Sequence, residues 1–182
     1  QDAANAAAAA QADRTLAEAW QSRRAYPLVV TQGDGNLGVK GKNFEMLFSI
    51  AGAGPASLKV NGTEWLWRAP RPAFWRASTD NDRGCGFPMR AAAWMAADVF
   101  VTYSGMKVLE AGPDCVKVQF QFGIPTVPGA SAELVYTVEA QGALRVDAVY
   151  HGVAGAPELP CFGVKFETFG PVTRTVWTGL SG

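Results

Sequence analysis

Hydrophobic and polar residues alternate along most of the chain after Lys42. In the clearest stretch, apolar residues occupy every second position from Val116 to Phe122, with lysine and glutamine between them. The same two-residue period recurs in residues 44–50, 133–139, 144–150 and 162–167. Neighbouring side chains of a strand point to opposite faces, so this period is typical of antiparallel strands with one buried face. The pattern predicts an all-β fold, an antiparallel β-sandwich.

Turn-forming residues separate these predicted strands. Asn61-Gly62 lies between two apolar segments, and this dipeptide favours the two-residue turn of a β-hairpin. Glycine and proline mark further breaks at Gly105, Gly112–Pro113, 123–129, 141–142 and 152–157. Breaks at such intervals indicate a succession of short strands, as in a sandwich.

The first 35 residues differ from the rest of the chain. Residues 3–12 are almost all alanine, the residue with the highest helix propensity, and Asp2 could cap such a helix. Residues 14–24 fit either a helix or an extended strand, and the glycine-rich segment Gln32–Gly38 indicates a linker. We therefore expect an alanine-rich appendage and linker in residues 1–35, helical or extended, and the β-sandwich in residues 36–182.

The segment with the most distinctive chemistry is Arg71–Gly84, in which aromatic residues precede a charged run. Asp80–Asp82 are three consecutive acidic or amide residues, and short side chains of this kind favour turns over strands. Arg76 and Arg83 flank them, and each guanidinium can hold a carboxylate with two hydrogen bonds. These residues alone leave two interpretations open, a structural turn and a functional loop.

The same segment resembles a family signature. Residues 75–84 are similar to the Trp-Arg-Ala-Pro-Thr-Asp-Asn-Asp-Arg-Gly run of the small-chain, C-terminal domain (domain 5) of family 2 β-galactosidases, with Ser78 in place of the proline. Cys161 stands where the family has arginine. The absence of this arginine could leave a carboxylate, that of Asp80 or Asp82, without a partner. Further segments occur in the family's order at Phe44–Phe48, Ser57–Gly62, Leu159–Gly163 and Val176–Gly179.

The resemblance, over roughly residues 36 to 182, implies a galactose mutarotase-like fold, a supersandwich of two large sheets. The family domain is substantially longer, so we expect a partial domain, truncated at its C-terminal end. In the family this domain forms a wall of the active site of an enzyme that hydrolyses terminal non-reducing β-D-galactose residues. The loop that follows the signature, as far as Met89 here, lies near the substrate.

Carried over to this sequence, the resemblance implies substrate-binding roles for Asp80, Asn81, Asp82, Arg83 and Gly84, with a positive φ or a hinge at the glycine. It implies no catalytic residue and no metal ligand here. The two catalytic glutamates of the family lie on a separate α/β barrel, and its Mg and Na ions lie at other domains. The implied partners are a β-galactoside and the barrel domain or large chain, with a homo-oligomer also allowed, and the chain alone is expected to be inactive.

The remaining chemistry of the chain agrees with this interpretation. The glutamates fall mostly on polar strand faces, where a solvated role is expected; examples are Glu45, Glu64, Glu110, Glu133, Glu139, Glu158 and Glu167. The single histidine, His151, is expected at a strand end. Three widely spaced cysteines, Cys85, Cys115 and Cys161, do not suit a disulfide framework or a zinc site.

Composition adds exclusions. The chain has 16 basic and 16 acidic residues, a balance that gives no reason to expect nucleic acid or an anionic membrane as a partner. No apolar run approaches the roughly 20 residues that span a bilayer. We expect a soluble protein, of the cytoplasm or the periplasm.

The alternative function is a stand-alone carbohydrate-binding or structural β-sandwich without hydrolase activity. A sugar platform needs exposed aromatic faces, whereas Trp65, Trp67, Trp75 and Trp94 are expected in the core or between domains. A mutarotase is disfavoured, because that chemistry pairs an acid with a base, typically histidine with glutamate, and only His151 is present.

Overall fold

The chain forms three antiparallel sheets and a short helical segment in residues 26–170, the part that this computed structural model describes. In chain order the elements are β1 (Val29–Gln32), β2 (Asn36–Lys40), β3 (Phe44–Ser49), β4 (Gly54–Val60), β5 (Thr63–Glu64), β6 (Leu66–Ala73), α1 (Asp80–Gly84), α2 (Phe87–Arg90), α3 (Ala92–Phe100), β7 (Thr102–Ala111), β8 (Cys115–Gly123), β9 (Ser131–Glu139), β10 (Leu144–His151) and β11 (Gly163–Thr168). β1 to β5 form the first sheet, β10-β9-β8-β7 the second, and β6 with β11 the third. The predicted all-β, antiparallel sandwich is confirmed.

The main core lies between the first and second sheets. Val118 and Phe120 of β8 pair with Tyr136 and Leu134 of β9, and all four side chains are fully buried. Phe48 of β3 packs onto them from the first sheet, with ring centroids 6.1 Å from Phe120 and 5.8 Å from Tyr136. The residues that alternate in the sequence are therefore the residues that meet between the sheets.

Two turn predictions have opposite outcomes. Asn61 and Gly62 join β4 to β5 with φ values of 50° and 79°, so the predicted two-residue hairpin is confirmed. The predicted break at Gly105 is wrong, because this glycine lies inside β7, where the register with β8 shifts after Tyr103. A glycine within a strand often marks such a bulge.

The segment Gln32–Gly38, predicted as a linker, is instead the hairpin between β1 and β2. Gln32 pairs with Leu37 across this turn, and Leu37 is fully buried in the main core. Glycine clusters suit linkers and tight turns equally well, which is why the sequence pattern misled here. The division at residues 35 and 36 stays a prediction, and the expected helix at 3–12, the open assignment at 14–24 and the Val172–Trp177 strand lie outside the described residues.

The helical segment between β6 and β7 was not predicted. Five of the seven residues from Ala91 to Ala97 are alanine, a composition with high helix propensity. Trp94 and Ala97, three positions apart on one side of α3, are buried in a second cluster that also contains Phe74 and Phe87. Within residues 26–170, no helix is long and apolar enough to cross a membrane.

Candidate functional site

The signature residues form one helical turn after β6 rather than an open loop. α1 begins after Thr79, whose side-chain oxygen accepts a hydrogen bond from the backbone N–H of Asp82 at 3.2 Å. The Asp82 carboxylate in turn accepts the backbone N–H of Thr79 at 2.8 Å. This reciprocal capping box satisfies two N–H groups that the helix start leaves without partners. The turn therefore keeps its shape through its own bonds.

Arg76 fixes this turn by holding Asp82 with two parallel hydrogen bonds. Its Nη1 lies 2.6 Å from Oδ2 and its Nη2 lies 3.2 Å from Oδ1 of the carboxylate. The bonds from Arg76, followed by the bond from the backbone of Thr79, hold the pKa of Asp82 well below its usual range. Its side chain is only 15% exposed. Asp82 thus maintains the turn, and its predicted contact with a substrate stays a prediction.

The other polar residues of α1 face away from this clamp. The Asp80 side chain is 97% exposed, and its Oδ1 lies 3.0 Å from Nη1 of Arg83. Asn81, which lies between Asp80 and Asp82 in sequence, is also exposed. An ion pair in contact with so much water contributes little to stability. The carboxylate, amide and guanidinium are therefore accessible to an approaching molecule or protein surface.

Gly84 does not have the positive φ that we predicted. It is the last residue of α1, and the left-handed residue is Gly86, with φ of 68°, immediately before α2. The predicted positive φ is wrong because α1 continues in helical conformation through Gly84, and the alternative of a hinge there stays a prediction. A Cβ atom at Gly84 would meet no other atom within 4 Å. Beyond the turn, the Arg90 guanidinium donates a hydrogen bond back to the Cys85 carbonyl.

A buried aromatic cluster contains Phe74, the residue between β6 and the signature. The Phe74 ring centroid lies 5.7 Å from that of Trp94 and 5.8 Å from that of Phe162. The backbone N–H of Phe74 donates to the Asp98 carboxylate of α3 at 2.6 Å, and the Trp94 indole N–H donates to the Pro157 carbonyl at 3.0 Å. The first bond fixes α3 against the end of the strand that leads into the signature, and the second fixes it to the segment before β11.

The hypothesis that the missing arginine at position 161 leaves Asp80 or Asp82 without a partner is wrong. Each of these carboxylates is already paired with an arginine of the signature segment. The carboxylate whose charge acts on Cys161 is that of Asp98: burial raises the pKa of the Cys161 thiol, Asp98 raises it further, and Arg76 opposes both. The signature carboxylates pair instead with arginines that lie only a few residues away along the chain.

Glu64 differs from the solvated glutamates that we expected. Its carboxylate accepts hydrogen bonds from the Ser57 hydroxyl and from the backbone N–H groups of Leu58, Trp65 and Leu66, the three backbone bonds measuring 2.9, 3.1 and 3.1 Å. Burial acts to raise the pKa of Glu64, but these hydrogen bonds outweigh it and lower the pKa. Glu64 therefore shapes the bend between β5 and β6.

Other glutamates match the prediction better. Glu45, Glu110 and Glu167 form ion pairs with Lys40, Lys117 and Arg68, at 2.7, 2.9 and 3.0 Å, and of these glutamates only Glu167 is half-buried. His151 ends β10, as predicted, with its Nε2 3.8 Å from the Glu133 carboxylate. Among residues 26–170, no group of three or more histidine, cysteine or acidic side chains is arranged to hold a metal ion.

The tryptophans divide into two sets. Trp94 is fully buried, so its predicted place in the core is confirmed, and Trp75 packs partly buried against the same cluster. Trp65 and Trp67 are exposed, and Trp67 meets Phe169 edge to face at 4.9 Å. A core position is wrong for this exposed pair, and packing between domains stays a prediction.

Sequence reasoning missed three residues that build the site. Thr79 could have been found, because a threonine three residues before an acidic residue is the spacing of a capping box. Gly86 was missed because the positive φ was predicted for Gly84, two residues earlier. Asp98 gave no local signal, since its partner Phe74 lies 24 residues earlier in the chain.

The sequence of the chain is similar to those of several known proteins. A sequence model of the family described as the β-galactosidase small chain matches residues 40–182. The chain is 41% identical to a β-galactosidase small subunit from Latilactobacillus sakei, over 85% of this chain and 55% of the relative. It is also 35% identical to β-galactosidases from Clostridium acetobutylicum and Streptococcus thermophilus, over 83% and 84% of this chain but only 17% and 15% of those proteins. The chain thus spans about half the length of the small subunit.

Proposed function

The chain belongs to the β-galactosidase small-chain family, and we propose that it is part of a β-galactosidase, which hydrolyses terminal non-reducing β-D-galactose residues. In this proposal it contributes a wall and a loop of the active site, and the catalytic glutamates lie on another domain or chain. The observation that carries the proposal is the signature turn. Hydrogen bonds within the turn hold its shape, and its other polar groups are exposed to solvent. The names of its relatives support the reaction class.

The outward groups have the chemistry that sugar recognition needs. The Asp80 carboxylate accepts hydrogen bonds, the Arg83 guanidinium donates them, and the Asn81 amide does both, so together they suit the hydroxyl groups of a galactoside. Groups held on a rigid support lose less conformational entropy on binding than groups on a mobile loop. Asp82 and Arg76 supply that support. Gly84, without a side chain, leaves the end of the turn open to close approach.

The parent enzyme in this proposal is a family 2 glycoside hydrolase, and the chain corresponds to its domain 5 with a supersandwich fold. Such a retaining enzyme needs two carboxylates about 5 Å apart, one as acid/base and one as nucleophile. The engagement of Glu45, Glu64, Glu110 and Glu167 in ion pairs or backbone hydrogen bonds supports a catalytic pair outside this chain. The Mg and Na ions of the parent family are likewise assigned to other domains.

The partner that follows is a catalytic barrel, as a linked domain or a separate large chain. The region related to this chain makes up 15–17% of two long β-galactosidases, whereas in Latilactobacillus sakei it belongs to a protein named as a small subunit. The same type of domain therefore occurs both within a long chain and as a separate subunit. The chain alone is proposed to lack hydrolase activity.

The exposed aromatic pair favours one alternative, a carbohydrate-binding module that acts without a catalytic partner. Trp65 and Trp67 lie exposed at the start of β6, and Phe169 packs against Trp67. An exposed indole face can stack on a sugar ring, and its polar edge can donate a hydrogen bond. If this function is correct, the chain alone binds galactosides and Trp67→Ala abolishes the binding.

Hydrolysis of a chromogenic β-galactoside tests the main proposal. The 182-residue chain is assayed alone, a barrel-containing large chain is assayed alone, and the two are then mixed. We expect activity in the mixture and none from the small chain. Activity from the small chain alone would show that the catalytic glutamates lie on this chain, contrary to the proposal. If mixing the two chains adds no hydrolase activity and the small chain binds sugar, the binding module is favoured.

A further inference from the structure

The outward side of α3 has no charged residue. The only charged residue of this helix, Asp98, faces the protein and accepts the backbone N–H of Phe74. The exposed side chains are apolar: Met95 is 53% exposed, Val99 71% and Phe100 61%. A surface helix normally places charged and polar residues toward water, and a helix that is apolar on all sides is normally covered. This helix therefore has the composition of a buried element.

The orientation of α3 is fixed, so rotation of the helix cannot hide these residues. Trp94 and Ala97 are fully buried on its opposite side. The Trp94 indole N–H donates to the Pro157 carbonyl at 3.0 Å, which ties the helix to the segment before β11. Together with the bond from Phe74 to Asp98, this contact holds two sides of the helix. Contiguous exposed apolar surface of this kind marks an interaction site.

We propose that this α3 face, made of Met95, Val99 and Phe100 and extended by the exposed Met89 of α2, is the surface that docks onto the catalytic part of the β-galactosidase. The inference rests on the proposed function and adds where the partner binds. α1, α2 and α3 are consecutive along the chain. α1 contacts α2 and α2 contacts α3, so the α3 face lies one short helix away from the turn that presents Asp80 and Asn81.

The relatives favour the catalytic part as the occupant over a second copy of this chain. A region of this type that accounts for only 15–17% of a long β-galactosidase lies within a much larger protein. When the same region belongs to a separate small subunit, no peptide bond holds that subunit to the catalytic part of the enzyme. Non-covalent contact must then hold it, and burial of apolar side chains is the largest favourable contribution to most protein association. The α3 face offers apolar side chains beside the proposed site.

Methionine oxidation in the assembled enzyme tests this surface with native residues. Met95 is exposed in the chain, whereas Met46 lies in the main core at 3% exposure and provides an internal reference. Because oxidation follows accessibility, we expect peroxide to oxidise Met95 in the assembled enzyme within about threefold of the rate for Met46. Oxidation of Met95 more than about threefold faster than Met46 would overturn the proposal.

A matched pair of substitutions tests the same surface by binding. Met95→Glu is expected to weaken binding of the chain to the large chain by about a hundredfold, because it would bury an unpaired charge. Leu109→Glu on β7 replaces a similarly exposed apolar residue outside the α3 face, and it is expected to bind like the unmodified chain. Circular dichroism of each variant checks that the fold is retained.

The identity of the occupant is read from cross-links formed by photo-methionine at position 95. Cross-links to peptides of the catalytic part are expected. Cross-links only to a second copy of this chain would overturn the proposed occupant. If Met95→Glu binds normally and the mixture is active, the proposed function stands and the docking surface is wrong. If the unmodified chain neither binds nor activates a large chain, the proposed function fails and this inference fails with it.

Discussion

The main core and the signature turn are stabilised by different kinds of interaction. Between the sheets, Phe48, Phe120 and Tyr136 are fully buried and gain stability from contact and exclusion of water. In the turn, Arg76, Thr79 and Asp82 form a closed set of hydrogen bonds, and no residue of α1 is buried. The comparison shows how one small domain can combine a stable interior with an accessible polar edge.

Residues of the same type can have different roles within the signature turn. Asp80 and Asp82 are two positions apart, yet Asp82 is held by a guanidinium and a backbone N–H, whereas Asp80 is almost fully exposed. Changes in the core should therefore affect stability alone. Changes to the clamp should affect activity more than stability, and changes to outward groups should affect activity alone.

The largest effect on stability is expected in the core. Leu134→Ala removes a fully buried side chain and is expected to lower the free energy of unfolding by about 3 kcal/mol. The kcat/KM of the complete enzyme, per folded molecule, should be unchanged. Denaturant titration and steady-state kinetics measure the two quantities. Leu109→Ala, at an exposed position of β7, is the control, with a change of about 0.5 kcal/mol or less; equal losses for the two variants would contradict the placement of the core.

Removal of the clamp should affect activity more than stability. Arg76→Ala releases the Asp82 carboxylate and is expected to reduce kcat/KM of the complete enzyme by about tenfold or more, because misplaced binding groups slow catalysis. Its loss of stability should be smaller than that of Leu134→Ala. Arg145→Ala breaks a comparable pair with Asp147, at 2.9 Å on β10, and should leave kcat/KM unchanged. Equal kinetics for the two arginine variants would show that the clamp does not support the site.

A charge added beside the clamp should have a smaller effect. Cys161→Arg places a guanidinium near Asp98, and we expect a gain of about 1 kcal/mol or less in the free energy of unfolding. The gain should disappear in an Asp98→Asn background, in which the side-chain oxygen can still accept the Phe74 N–H. Denaturant titration of the unmodified chain, the two single variants and the double variant gives the coupling between the two positions. A gain that persists with Asp98→Asn would identify a different partner.

The smallest effect is expected in the pH dependence of stability. The pKa of Asp82 in the folded state is lower than its ordinary value of 3.8, so its charged form favours folding. This contribution is fully present above the ordinary pKa and is lost as the pH falls through 3.8 toward the folded-state value. The difference in stability between the unmodified chain and Asp82→Asn should therefore be constant near neutral pH and shrink below about pH 4. Urea titrations that show a widening difference in acid would contradict this sign.

The same contrast explains which features the sequence could predict. Strands such as β8 and β9 follow from alternation, because a period of two fixes which side chains face the core. The Arg76–Asp82 clamp was foreseen as one option, since the two residues are only six apart. The contact between Asp98 and Phe74 joins distant parts of the chain and leaves no periodic signal. α3 was missed because its alanines match neither the strand period nor the usual amphipathic pattern of a surface helix.

The outward edge of the signature turn is proposed to meet the substrate, and Asn81→Ala probes this contact in the complete enzyme. The quantity to measure is kcat/KM for a chromogenic β-galactoside. We expect kcat/KM to fall by about tenfold or more, as for the loss of a hydrogen bond to the reacting sugar, with the free energy of unfolding unchanged. Asn43→Ala, at an exposed asparagine between β2 and β3, is the control. If both variants keep the kcat/KM of the unmodified enzyme, the signature turn does not contact the substrate and the account is wrong.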